Sequence, residues 1–340
     1  MVAFRHERGL RMKSVFTAVF MALALGALAT DGAAPAPAKI IDMHLHALAA
    51  ADQGPPPVVI CAPYDTIPIR DVAKGATPYA VYAFKAAHCA HPIWSSADDA
   101  ALQRDSLAEL RKYDMVGVTS GTPAMVEAWR AAAPDRIIPA VMFGLGDAPS
   151  IQALRDLHKA GRLAVLGEIA TQYEGIAPND PRLEPYYALA EELDIPVGIH
   201  VGPGPPGATA LGITTFRMSA GDPLLLEEVL VKHPNLRLYV MHAGWPNIDH
   251  MIALLYAHPQ VYVDTAVIDY TQPKAEFHRY LRRLVEAGYG DRILFGSDQM
   301  VWPGAIGPAI ESINSADFLS PAQKRAILHD NAARFLRLKE

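Results

Sequence analysis

The stretch that most constrains this chain is Lys39-Ile40-Ile41-Asp42-Met43-His44-Leu45-His46. Apolar residues alternate there with Asp42, His44 and His46. An extended strand turns successive side chains to opposite faces, so the acid and both imidazoles share one face. Two histidines two positions apart on a strand can grip one metal ion. Burying a polar nitrogen without a partner costs on the order of 1–3 kcal/mol, and a bound metal removes that cost. An amphipathic edge strand with solvated histidines is the plainer alternative for the octapeptide.

The 340 residues are 51% hydrophobic and 19% charged, enough for a substantial core and unlike a disordered or supercharged chain. Net charge is −6 and no Lys/Arg cluster follows residue 13, which argues against a nucleic-acid footprint. Residues 1–29 read as a secretory signal. Arg5, Arg8, Arg11 and Lys13 precede an apolar run over 15–28, and Ala27-Leu28-Ala29 fits small-x-small cleavage. That run is short against the roughly 20 residues of a membrane span. The expected product is therefore exported, periplasmic or secreted, with no stable membrane insertion after cleavage; an uncleaved anchor is the alternative. A Pro/Ala spacer fills 30–38. The two cysteines, Cys61 and Cys89, form a disulfide or remain two thiols.

Residues 47–97 break the periodic pattern with Gly54-Pro55-Pro56-Pro57 and with Tyr64, Tyr79, Tyr82, Phe84 and Trp94. So long an insertion reads as a lid or pocket wall, with His88 and His91 on its surface. After Asp98 the chain alternates regularly. Helices are expected at 98–112, 122–132, 149–160, 181–193, 222–232, 246–257, 274–287 and 305–315. Strands are expected at 115–119, 136–143, 163–169, 195–201, 236–242, 260–265 and 291–297. His233 and His258 precede prolines at helix ends and read as structural. With residues 39–46 the strands number eight, short and apolar on both faces. That pattern predicts an α/β fold, a (β/α)8 TIM barrel over 39–338 with a lid-like insertion after strand one. A doubly wound sheet with a second domain is the alternative.

In such a barrel, active-site groups sit at the C-terminal strand ends. His44 and His46 close strand one, Glu168 strand four, His200 strand five, His242 strand six and Asp298 strand eight. Histidines with carboxylates suit zinc first, with manganese, iron or cobalt as alternatives. A catalytic ion keeps a position for water and lowers its pKa to about 7. Asp298 and His242 are the candidates to take the proton. Arg217, in the Gly/Pro-rich loop after His200, is a candidate to pair with a substrate carboxylate, and a surface salt bridge is the ordinary alternative. Tyr173, Trp245 and Trp302 follow catalytic strand ends, as pocket wall or as rim packing.

These motifs carry a resemblance. Asp42-Met43-His44-Leu45-His46, Gly198-Ile199-His200, Met241-His242-Ala243-Gly244-Trp245, Phe295-Gly296-Ser297-Asp298 and Asn331-Ala332-Ala333-Arg334-Phe335 resemble the amidohydrolase superfamily. Within it they are similar to the amidohydrolase-related group of aminocarboxymuconate semialdehyde decarboxylase. The resemblance implies that His44, His46, His200 and Asp298 bind metal and that His242 holds or activates the water and polarises the substrate. Glu168 stands where some branches carry a ligand to a second ion, so one or two ions are expected; its alternative is a salt-bridging acid behind the ligands. The implied function is metal-dependent hydrolysis of a small-molecule amide, ester or lactone-like bond. A decarboxylase or hydratase of a carboxylated small molecule is the first alternative, and a non-catalytic metal- or ligand-binding barrel the second. Homo-oligomers are left open.

Overall fold

The computed structural model describes residues 38–67, 69–75 and 89–338. The segment expected to be a signal, residues 30–37 of the spacer, and Tyr79, Tyr82, Phe84 and His88 of the insertion lie outside them.

Eight parallel strands pair in chain order: β1 (Ile40–Ala47), β2 (Met115–Gly121), β3 (Ile137–Phe143), β4 (Val165–Ile169), β5 (Val197–His200), β6 (Leu238–Met241), β7 (Val261–Asp264) and β8 (Ile293–Leu294). The first and last strands meet through Met43 N donating to Phe295 O at 2.8 Å and Asp298 N donating to His44 O at 2.7 Å. The sheet is thus a TIM barrel, as the alternation predicts.

Paired segments are shorter than the apolar runs, most of all in β8. There the chain after Leu294 turns to a side chain: Ser297 donates to the Asp42 carboxylate from its N at 3.0 Å and its Oγ at 2.5 Å. Asp42 also accepts from His44 N, where the β1–β2 register shifts. It therefore ties strand ends together instead of joining the histidines it shares a face with in an ideal strand. Burial pushes its carboxyl up to about 6, against the bonds from Ser297 and His44.

The outer helices start where short polar side chains can satisfy free backbone donors. Asp98, Thr122 and Ser150 accept from the amides of Ala101, Met125 and Ala153. The helices expected from 181 and 222 open as 3-10 turns, Pro181–Leu183 and Pro223–Leu226, before continuing as Glu184–Leu193 and Glu227–Lys232. His233 has one ring nitrogen 3.0 Å from Glu191 and the other 3.0 Å from Glu184, a structural bridge between two of these helices.

Inside the barrel, Ile41, Met43, Val118, Ala140, Val165, Tyr239, Met241 and Leu294 form a layer closed by Ala332 and Phe335. Gly198 is needed in that layer, because a Cβ there would lie 2.5 Å from the Tyr239 ring. The closing helix, Asn331–Leu336, is pinned by Asn331 Nδ2 donating to Gly290 O and Ile293 O at 2.9 and 2.8 Å. With that end sealed by apolar side chains, the polar groups gather at the other.

In the insertion, Val59–Cys61 pairs antiparallel with Pro92–Trp94, and Cys61 is bonded to Cys89. Trp302 is fully buried and donates to Val58 O at 3.1 Å, while Tyr64 N donates to Thr271 O at 3.0 Å. Trp302 is therefore packing that fastens the insertion to the loop after β8.

Candidate metal centre

Six side chains predicted from the strand ends converge on one point. His44 and His46 leave β1, Glu168 lies in β4, His200 ends β5, and His242 and Asp298 follow β6 and β8. All six are buried, none more than 6% exposed. Glu168 Oε2 is 3.5 Å from Nε2 of both His44 and His46. Its Oε1 is 3.9 Å from His200 Nε2 and 4.0 Å from His242 Nε2. Asp298 Oδ1 lies 2.9 Å from His46 Nε2 and 3.8 Å from His44 Nε2. The glutamate thus stands between two pairs of imidazoles, one of which carries the aspartate.

Each imidazole presents Nε2 inward because its Nδ1 is engaged behind. His242 Nδ1 is 3.0 Å from Ala266 O, a carbonyl that can only accept, so Nδ1 carries the proton. His44 Nδ1 faces Asp264 Oδ2 at 3.0 Å. His46 Nδ1 is 3.0 Å from Ser120 Oγ, whose own proton goes to Leu45 O. His200 Nδ1 is 2.8 Å from Gln172 Oε1, and Gln172 Nε2 donates to Gly202 O and Arg217 O, which fixes the orientation of that carboxamide. Four Nε2 atoms therefore converge on two carboxylates. Where a nitrogen is unprotonated it faces a carboxylate oxygen acceptor to acceptor at 3.5–4.0 Å, which repels unless positive charge, a proton or a metal ion, sits among them.

Without a metal, a proton on His44 supplies part of that charge. Burial works against a charge on His44, yet Asp298 and Asp264 beside it hold its pKa well above the usual imidazole value. Burial also works against Glu168 and Asp298 as anions, but the adjacent histidines, His44 foremost, hold both below the usual carboxylate range. His200 is pushed down to about 3 by burial and by His242, so its lone pair is free at neutral pH. Nε2 of His44 and of His200 are buried without a hydrogen-bond partner. These donors fit a divalent cation: imidazole nitrogens with fixed tautomers, anionic oxygens, and buried atoms that nothing else satisfies.

The backbone is shaped to the same end. His242 and Asp298 have φ of 59° and 47°, a left-handed conformation that costs non-glycine residues energy. His242 N is held by Asp264 Oδ1 at 2.7 Å, and Tyr270 donates its hydroxyl to Asp298 O at 3.1 Å.

The two predicted substrate residues lie differently. Arg217 is exposed, and its Nη1 donates to Thr214 O and Phe216 O of its own loop, each at 2.8 Å. Trp245 is half-buried, its indole N–H 3.3 Å from Glu276 Oε1. Tyr173 stacks between His200 and Phe216, with ring centroids 4.8 and 5.4 Å away. Sequence reasoning missed Asp264, Gln172 and Ser120. Asp264 closes β7, so the strand-end rule that found the others would have found it. Gln172 and Ser120 carry no comparable signal.

Comparison with solved structures finds the same architecture at low identity. An uncharacterised TIM-barrel protein from Bordetella bronchiseptica is 18% identical with a TM-score of 0.59, covering 88% of this chain and 99% of that one. A probable 2-pyrone-4,6-dicarboxylic acid hydrolase from Acinetobacter baumannii is 13% identical with a TM-score of 0.56, over 88% and 100%. The 4-oxalomesaconate hydratase of Rhodopseudomonas palustris is 18% identical with a TM-score of 0.51, over 88% and 95%. Among curated proteins, none matches. The family model for amidohydrolases matches residues 41–338, a span holding all the residues of this centre, and the chain belongs to that family.

Proposed function

We propose that the protein is a metal-dependent hydrolase of a small-molecule amide, ester or lactone-like bond. The observation that carries this reading is the position of Glu168, with one oxygen 3.5 Å from His44 and His46 and the other 3.9–4.0 Å from His200 and His242. His44, His46, Glu168, His200, His242 and Asp298 would together hold two divalent ions, one for each pair of histidines. Zinc suits the nitrogen and oxygen donors, as do manganese, iron and cobalt. A divalent ion in this place supplies a Lewis acid and makes a water acidic near neutral pH.

The chain's own groups do the rest. Asp298, held ionised by the histidines, accepts the water's proton and returns it to the leaving group. His242 offers a lone pair at Nε2, so it serves as ligand or proton acceptor; it stabilises an oxyanion only after taking up a proton. Arg217 and Trp245 are the candidates for substrate contact, Arg217 once its guanidinium leaves the Thr214 and Phe216 carbonyls. Export rests on the N-terminal pattern, and the Cys61–Cys89 disulfide, of a kind that oxidising compartments sustain, supports it.

The same groups also serve decarboxylation or hydration, and the Rhodopseudomonas palustris neighbour is a hydratase. The test is turnover by metal-loaded protein, with lactones, esters and amides followed by proton release and carboxylated aromatics by CO2 release. Hydrolysis that disappears in Asp298→Asn while metal stays bound supports the proposal. CO2 release or hydration without hydrolysis overturns it for the second reading, and no turnover of any class favours a binding barrel.

A further inference from the structure

The short turn Thr171–Glu174 after β4 grips two things at once: the ring of His200 and the long loop that follows it. Gln172 is buried and spends its carboxamide on four bonds. Oε1 accepts from His200 Nδ1 at 2.8 Å and from Gly202 N at 3.2 Å. Nε2 donates to Gly202 O at 3.0 Å and to Arg217 O at 3.2 Å. A Cβ on Gly221 would lie 2.4 Å from Gln172 Nε2, so the far end of the loop also closes on this side chain. Tyr173 adds two further ties. Its ring lies between His200 and Phe216, and its carbonyl accepts from Thr215 Oγ1 at 2.5 Å.

From this arrangement we infer that Gln172 is a positioning residue which couples the loop 202–221 to His200, so that metal occupancy and loop order are one equilibrium. The inference rests on the metal-centre reading and goes beyond it. Filling the His200 lone pair fixes the ring. The fixed ring fixes the carboxamide, and the carboxamide holds the carbonyls of Gly202 and Arg217. Coupling between sites is reciprocal, so a substrate that orders the loop tightens the metal by the same factor. The loop carries Arg217, so whatever engages that side chain reports to the metal through Gln172, with the Tyr173 ring beside it.

The test uses full-length protein stripped with a chelator and then titrated with zinc, with amide hydrogen exchange read over residues 203–221. In wild type, zinc is expected to slow exchange in the loop about threefold or more. Gln172→Glu keeps the acceptors for His200 Nδ1 and Gly202 N and loses the donors to Gly202 O and Arg217 O. It is expected to bind zinc within about threefold of wild type while zinc no longer slows the loop. Zinc bound with loop exchange unchanged in wild type overturns the coupling and leaves the metal centre standing. Equal zinc protection in Gln172→Glu overturns the role of Gln172. Absence of zinc binding in wild type overturns the metal centre and the coupling together. Gln172→Met, which removes all four bonds, is expected to lose both zinc affinity and loop protection; retention of both also overturns the inference.

Discussion

The carboxylate of Asp264 lies 3.0 Å from Nδ1 of His44, with both side chains wholly enclosed. Its other oxygen accepts from His242 N at 2.7 Å and Ala266 N at 3.1 Å, so one acid orients an imidazole and the backbone beneath a second. In Asp264→Asn the carboxamide cannot accept from both, and its NH2 must face a donor or reverse the His44 tautomer. Metal affinity is expected to fall about 10- to 100-fold, measured by chelator competition, with far-ultraviolet circular dichroism unchanged. Undiminished affinity would remove Asp264 from this role.

The proposed two-ion reading turns on Glu168. Elemental analysis of metal-loaded wild type is expected to give close to two ions per chain, and Glu168→Gln one or none, because Oε2 and Oε1 face different histidine pairs. One ion in both proteins would place Glu168 outside the ligand set.

Buried groups pull the stability of the metal-free protein in opposite directions as pH falls. His200 is pushed from its ordinary 6.5 to about 3, so below 6.5 the unfolded chain binds the proton that the folded one refuses. Stability is therefore lost as pH falls from 6.5 toward 3. Glu168 adds a loss below its ordinary 4.5, since its folded pKa is lowered. Asp42 works the other way: raised from 3.8 to about 6, it favours the folded state as pH falls through that window. The difference in urea midpoint between His200→Gln and wild type is expected to move in favour of the variant as pH falls from about 7 to 4, since the variant lacks the loss that His200 contributes. Parallel curves for the two proteins would refute the His200 contribution.

The Cys61–Cys89 bond closes a loop with a sequence separation of 28, which by chain entropy stabilises the folded insertion by about 3 to 4 kcal/mol. Cys89→Ser is expected to loosen the insertion, seen as faster proteolysis within 47–97, while the barrel retains its fold. Two free thiols in the unreduced mature protein, measured by intact mass, would contradict the bond itself.

Much of this molecule was legible before folding. Short apolar runs alternating with capped helices predict a barrel over a doubly wound sheet, and a barrel carries the C-terminal ends of all its strands to one rim. His44, His46, Glu168, His200, His242 and Asp298 could therefore be named from their places at strand ends alone. The side that each imidazole presents could not. That depends on Asp264, Ser120, Gln172 and Ala266, which lie 220, 74, 28 and 24 residues from their histidines. Nor does local alternation say that Asp42 turns to Ser297, 255 residues on, instead of joining its neighbours. Trp302 and Arg217 make the same point, one claimed by packing and the other by its own loop's carbonyls. Periodicity fixes which way a strand's residues face, because it is a property of a few bonded neighbours. A hydrogen-bond partner is chosen only when distant strands close, because only then do the competing donors and acceptors come within reach.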